Sequence, residues 1–185
     1  FCGMGGARTS CESSYMFQKF VREAMDSPHV DNCARVCHSP SLKGMRTTIG
    51  EGAATNPFDD IFKTENIVVM GSNTTEAHPI VANRMIKAAR DKTATLSVID
   101  VRQTQLSKFG EQLIIPYEAN LLVLNMMAYV ILSEKLYNTE FIDSRCTGFE
   151  AYKDSILNDP YANPEYMQKV SGYEYLTEQI PTVAR

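Results

Sequence analysis

Ile67-Val68-Val69-Met70-Gly71-Ser72-Asn73-Thr74-Thr75-Glu76-Ala77-His78-Pro79 is the stretch that decides the fold class. Four consecutive apolar residues predict a short buried strand, and the glycine and polar residues behind it predict a tight turn that opens a helix at Pro79. Beyond it, Ile80, Val81, Met85, Ile86 and Ala89 recur at helical spacing, and residues 95–99 read as a second strand. A strand, a crossover helix and a second strand compose a βαβ unit, whose parallel sheet needs helices on both faces to bury it. The expected class is therefore α/β, a Rossmann-like parallel sheet with flanking helices.

Toward the C-terminus the pattern predicts a short third strand over 113–115, a largely buried helix over 120–134, and amphipathic helices over 139–145 and 149–158. Residues 165–185 read as helical pieces with no strand. Toward the N-terminus, Met16, Phe17, Phe20, Val21, Ala24 and Met25 give an amphipathic helix over 13–25, which Asp26-Ser27-Pro28 stops. From 30 to 56 no period is sustained; Pro40, Gly44, Gly50, Gly52 and Pro57 mark turns, so loops are expected there. No internal repeat or low-complexity tract interrupts the chain. At 185 residues one domain is expected, organised as a segment 1–60 that carries chemistry, an α/β part 61–150 and a helical tail 151–185.

Composition narrows the function classes. A hydrophobic fraction of 44% against 22% charged residues provides for a core and excludes wholesale disorder. With 18 Lys and Arg against 22 Asp and Glu, a net charge of -4 and no run of five like charges, the chain has neither the footprint of a nucleic-acid binder nor that of a basic membrane-surface helix. The apolar stretch 121–132, broken by Asn125, falls short of the roughly 20 residues a membrane span requires. The five cysteines are odd in number and irregularly spaced, which argues against a disulfide framework. The start, Phe1-Cys2-Gly3-Met4-Gly5-Gly6, has neither an initiator methionine nor the regions of a signal peptide, so the chain is expected to be a piece of a longer polypeptide.

Two places could carry chemistry. Ligands of open α/β sheets bind at the carboxyl ends of the strands, where the turn 71–76 offers backbone N–H groups and where Asp100 and Arg102 follow the second strand. Such a site suits a nucleotide. The separation from Gly71 to Asp100 exceeds the roughly 20 residues of the dinucleotide fingerprint and GxGxxG is absent, so simple NAD binding is disfavoured. The competing reading is structural: Asn73 and Thr74 form the turn and cap, and Asp100 caps the next helix.

The other place is Cys33-Ala34-Arg35-Val36-Cys37-His38, the densest group of soft ligands in the chain. A Cys-x3-Cys without a second pair is poor evidence for structural zinc, which would also draw on His29 or His78. Alternatively, a single thiolate binds a metal whose other ligands come from a cofactor, with Arg35 and His38 acidifying it. The bland alternative is two buried cysteines in a turn. His78, ahead of Pro79, reads as a helix-start residue without a functional role, and the methionines and tyrosines read as packing.

These residues resemble a known family. Val30-Asp31-Asn32-Cys33-Ala34-Arg35-Val36-Cys37-His38-Ser39-Pro40-Ser41 is similar to the active-site segment of molybdenum- or tungsten-dependent formate dehydrogenases of the molybdopterin oxidoreductase superfamily. The resemblance continues in Tyr15-Met16-Phe17-Gln18-Lys19-Phe20, in Gly50-Glu51-Gly52-Ala53-Ala54-Thr55-Asn56, in the turn from Gly71 and in Asp100-Val101-Arg102, up to about Phe149. It implies part of a larger molybdopterin oxidoreductase fold, with Mo or W held by a bis-molybdopterin guanine dinucleotide and by Cys37. His38 would serve the hydrogen transfer from formate. Arg35, Gly52, Ala53, Gly71, Ser72, Asn73, Glu76, Asp100 and Arg102 would contact cofactor. The same resemblance implies formate and CO2 as substrate and product, electron-transfer subunits as partners, and a [4Fe-4S] cluster on a segment not among these residues. Pro116-Tyr117-Glu118-Ala119-Asn120, Thr9 and Cys11 depart from the family pattern. Another molybdopterin oxidoreductase acting on a small substrate, or a non-catalytic scaffold, are the alternatives.

Overall fold

The computed structural model describes residues 1–172 and 175–184. The single domain expected from length divides into two compact units, Phe1–Pro57 and Phe58–Arg185.

In the first unit, β1 (Gly3–Gly5) pairs in parallel with β2 (Val30–Asn32), and α1 (Cys11–Lys19) forms the crossover between them. β1 passes directly over the helix: a Cβ on Gly3 would lie 2.5 Å from Val21 Cγ2 and 2.9 Å from the Phe17 ring, so only glycine lets the strand approach this closely. Ser10 caps α1, its Oγ accepting from the Ser13 N–H at 3.2 Å. The expected helix 13–25 thus begins earlier, and its end is irregular. Residues Phe20–Ala24 widen into a π turn, Met25 N–H donates to Phe20 O, and Asp26 stops the run at φ +46°. Val21 is fully buried, whereas Met16, Phe20 and Met25 of the apolar stripe stay exposed.

The loops expected over 30–56 are mostly helix. α2 (Ala34–Cys37) is a single turn, and α3 (Ser39–Ile49) follows it across His38. The proline and glycine taken as turn markers are helix punctuation: Pro40 lies in the first turn of α3, where its missing N–H needs no partner, and Gly50 caps the end at φ +76°.

In the second unit, β3 (Asn66–Met70), β4 (Thr95–Asp100) and β5 (Glu111–Ile114) form a parallel sheet in that order. A one-turn helix α4 (Thr74–Ala77) and then α5 (Pro79–Arg90) connect β3 to β4. Ile67 stands opposite Leu96 and Val69 opposite Val98, so these four point to one face, where Ala88 of α5 and Leu106 complete a buried cluster. Ile99 and Leu113, also opposite each other, point to the other face. There they pack with Ile115, Val123, Met126, Met167 and Ile180. The second face is covered by α6 (Asn120–Ser133), α9 (Pro164–Ser171) and α10 (Tyr175–Ala184). Two further helices, α7 (Thr139–Arg145) and α8 (Phe149–Leu157), precede α9, and Ile156 of α8 packs beside Leu132. Burying a side chain such as Ile99 or Met126, neither of which retains any exposure, contributes about 1.5–3 kcal/mol.

Helices cover both faces of a parallel sheet, as the class required. The third strand is shifted: it begins at Glu111 rather than 113, because Gln112 pairs on the edge with a side chain that donates from Nε2 to Val98 O. The tail is no separate layer, since Met167 and Ile180 complete the core of the sheet. The expected helical pieces over 165–185 correspond to α9 and α10; Tyr173, Glu174 and Arg185 lie outside the described residues.

Candidate functional site

At the carboxyl edge of the larger sheet, β3 ends in a turn that glycine makes possible. Gly71 sits at φ +59°, and its N–H donates to Ile99 O at 2.8 Å, which ties the turn to the end of β4. The hydroxyls of Ser72 and Thr74 share a hydrogen bond of 3.2 Å, and Thr75 Oγ1 donates to Asn73 Oδ1. Asn73 makes no side-chain cap on α4. The backbone N–H groups of Ser72, Asn73, Thr74 and Thr75 have no partner among the described residues. They form a row of unused donors beside the strand end, the arrangement that receives phosphate oxygens. Glu76 is exposed in the same turn.

Asp100 is the last residue of β4 and only 9% exposed. Its Oδ1 accepts the Arg102 N–H at 3.2 Å, bracing its own turn. It does not cap the 3₁₀ turn Gln105–Phe109, whose cap position is Thr104, whereas Asn73 does occupy the N-cap position of α4, through its backbone carbonyl and without a side-chain cap. Asp100 Oδ2 and the exposed Arg102 guanidinium have no partner among the described residues. The structure therefore brings Gly71, Ser72, Asn73 and Asp100 to one edge, with an acceptor and a planar donor face beside the free N–H row.

In the first unit, Cys37 closes α2 and His38 forms the junction with α3. Both cysteines of the motif, Cys33 and Cys37, are exposed free thiols, which corrects the alternative of two buried cysteines. The reason is local: a one-turn helix between a strand and a longer helix has no side turned to a core, and none of its residues is buried. The His38 imidazole is exposed and has no partner among the described residues. Arg35 is held by Asp31 in an ion pair rather than by either thiol. The Arg35 guanidinium, followed by the Asn32 N–H, holds the Asp31 carboxyl below the usual carboxylate range, and Asp31 in turn raises Arg35.

Gly52 is half-buried against α3, where a Cβ would meet Leu42 Cδ1 at 2.5 Å, while Ala53 is exposed. Packing accounts for the glycine at 52. A cavity of about 600 Å³ in this unit was not legible in the sequence. Ser13, Ser14, Gln18, Asp31 and Asn32 line it together with Phe17. The signal that could have found it is the Ser10 cap, which fixes the start of α1 beside β1 and so turns Ser13, Ser14 and Gln18 toward the strand ends. Among the described residues no three His, Cys, Asp or Glu side chains converge on a common metal position, so the zinc option with His29 or His78 gains nothing. Among the described residues no helix is long and apolar enough to cross a membrane.

Residues 2–167 match the family model described as molybdopterin oxidoreductase. The chain belongs to that family. It is 40% identical over 170 residues to the F420-dependent formate dehydrogenase subunit alpha of Methanocaldococcus jannaschii, covering 91% of this chain and 24% of the relative. It is 36% identical over 165 residues to formate dehydrogenase H of Escherichia coli, covering 89% and 22%. The chain thus spans about a quarter of the length of the curated relatives it matches. Among solved structures it resembles acetylene hydratase from Pelobacter acetylenicus with a TM-score of 0.70 and 22% identity, covering 98% of this chain and 24% of that one, a likeness of fold.

Membership implies a molybdopterin cofactor, and each unit, taken by itself, carries donors that suit part of such a group. A soft, exposed thiol at Cys37 suits a metal that takes its remaining ligands from dithiolenes. The unused N–H row, Asp100 Oδ2 and Arg102 suit the phosphate and base of a nucleotide appended to the pterin.

Proposed function

We propose that this chain is part of the catalytic subunit of a formate dehydrogenase, in which Cys37 ligates Mo or W and the carboxyl edge of the larger sheet holds one guanosine end of a bis-molybdopterin guanine dinucleotide. The observation that carries the reading is the pairing of an exposed, free Cys37 thiol with the unpartnered His38 imidazole next to it, within a stretch similar to formate dehydrogenase alpha subunits. The bound cofactor supplies two-electron redox chemistry at its metal. Cys37 anchors that metal through a deprotonated Sγ. His38 accepts at an imidazole nitrogen the proton that formate gives up on becoming CO2. Asp31 fixes the guanidinium of Arg35 on the same turn, which leaves the remaining Arg35 N–H groups to face cofactor. Gly71, Ser72, Asn73 and Glu76 form the phosphate-side wall, Asp100 accepts from guanine N–H groups or a ribose hydroxyl, and Arg102 lies against base or phosphate. Gly52 and Ala53 complete the contacts on the active-site side. A [4Fe-4S] cluster on another segment of the whole protein would supply one-electron transfer, and electron-transfer subunits would be its partners.

The test uses the full-length protein. Cys37→Ala removes the protein's bond to the metal and should abolish formate-dependent dye reduction together with metal retention, whereas Cys33→Ala should leave most activity. His38→Gln should keep the metal and turn over slowly. Equal losses in both cysteine variants, or metal loss in His38→Gln, would overturn these assignments.

A further inference from the structure

The role of Cys37 leaves Cys33 without one, although its thiol is just as free and exposed. Cys33 begins the turn that Cys37 ends: Cys37 N–H donates to Cys33 O at 3.1 Å, and Val36 N–H donates to the same carbonyl at 3.3 Å. The bond from residue 37 back to residue 33 is one α-helical turn, so the two side chains project on the same side. A rise of about 1.5 Å per residue sets their Cα atoms about 6 Å apart, inside the roughly 4.4–6.8 Å that a disulfide bridges. The added 3₁₀-type bond to Val36 tightens the turn further in that direction. Asp31, held by Arg35 and by the Asn32 N–H, fixes the entry to the turn.

We propose that Cys33 is a resolving cysteine for Cys37: under a mildly oxidising thiol pool the two close to a reversible intramolecular disulfide that withdraws the metal ligand. The inference rests on the reading of Cys37 as that ligand. The co-reactant is a low-molecular-weight aliphatic disulfide. One thiolate attacks it and releases the first thiolate leaving group; the second cysteine then attacks the mixed disulfide and releases the other. Two thiols of the protein are oxidised, one external disulfide is reduced to two thiols, and the two protein protons end on those leaving groups. Bridging a helical turn stretches the pair away from relaxed disulfide geometry, which makes the bond easy to reduce and suits it to a reversible role.

The peptide chemistry offers a direct readout. Trypsin cleaves after Arg35, so Cys33 and Cys37 fall on different peptides, 23–35 and 36–43. The full-length, metal-free protein is treated with oxidised glutathione, alkylated and digested. A linked pair of these peptides that separates on reduction is expected, with metal uptake lowered at least tenfold and restored by a thiol reductant. In Cys33→Ser the same treatment should leave glutathione on the Cys37 peptide in place of the link. Glutathione remaining on Cys37 in the native protein, or both thiols staying free, would overturn the proposal. Linked peptides with undiminished metal uptake would uphold the disulfide while overturning Cys37 as the metal ligand, so the two failures are distinct.

Discussion

Replacing Asp100 tests the nucleotide edge most sharply, because its two carboxylate oxygens do different work. Oδ1 accepts the Arg102 N–H at 3.2 Å and holds the turn after β4, whereas Oδ2 is unused by the protein. Asp100→Asn keeps an acceptor for Arg102 and replaces the free acceptor by an NH2 group, which meets guanine donors with a donor. Asp100→Ala removes both. A hydrogen bond to a charged group is worth about 1.5–3 kcal/mol, a tenfold to roughly hundredfold change in retention of the dinucleotide. Asp100→Asn should therefore weaken retention of the dinucleotide about tenfold or more and lower the fraction of full-length protein carrying cofactor with the fold intact, and Asp100→Ala should add a loss of local order. Loading is read as pterin and metal per polypeptide, and activity is normalised to bound metal. That normalised activity should stay near the native value. Unchanged loading in Asp100→Asn would remove Asp100 from the cofactor site, and a steep fall in activity per metal would place it in the reaction instead.

Gly110→Ala should destabilise the full-length protein by about 1–3 kcal/mol through overpacking, since a Cβ there would lie 2.1 Å from Leu96 O, a backbone atom that cannot move aside; a denaturation midpoint equal to the native one would contradict this. Asp31, whose carboxyl is lowered in the folded chain, stabilises above the ordinary carboxylate range and loses that contribution as pH falls through its lowered value, below roughly pH 4. Native protein should accordingly lose more thermal stability between pH 5 and roughly pH 2 than Asp31→Asn does; parallel melting-temperature profiles would show that the pair carries no linkage.

The larger sheet was legible because its signal is a change of period. Ile67 to Met70 and residues 95–99 are short apolar runs, and the stripe from Ile80 to Ala89 between them is helical, so a βαβ unit was the economical reading. The same logic is blind in the first unit. β1 and β2 are three residues each, glycine-rich or polar, and α3 carries Pro40, Gly44 and two threonines in a sequence whose apolar positions, Leu42, Met45 and Ile49, are sparse. A proline or glycine reads as a break until its position relative to a helix end is known, and Pro40 and Gly50 stand at those ends. The chemical motifs were visible by residue type, but their exposure was not. Nothing in Cys33 or Cys37 themselves says that the turn carrying them has no buried side. The π turn at Phe20–Ala24 and the Asp31–Arg35 pair depend on geometry finer than a periodic pattern carries.

The two faces of the larger sheet close at different moments of synthesis. The face holding Ile67, Val69, Leu96 and Val98 is complete once Leu106 has left the ribosome, because Ala88 and Ala94 come from the intervening helix and turn. The opposite face must wait for Met167 and Ile180, which arrive with α9 and α10. Through that interval Ile99, Leu113, Val123 and Met126 lie on a half-covered layer in the growing chain. Apolar surface left open in a nascent polypeptide is prone to aggregate, so the emergence of α9 and α10 is what covers this face.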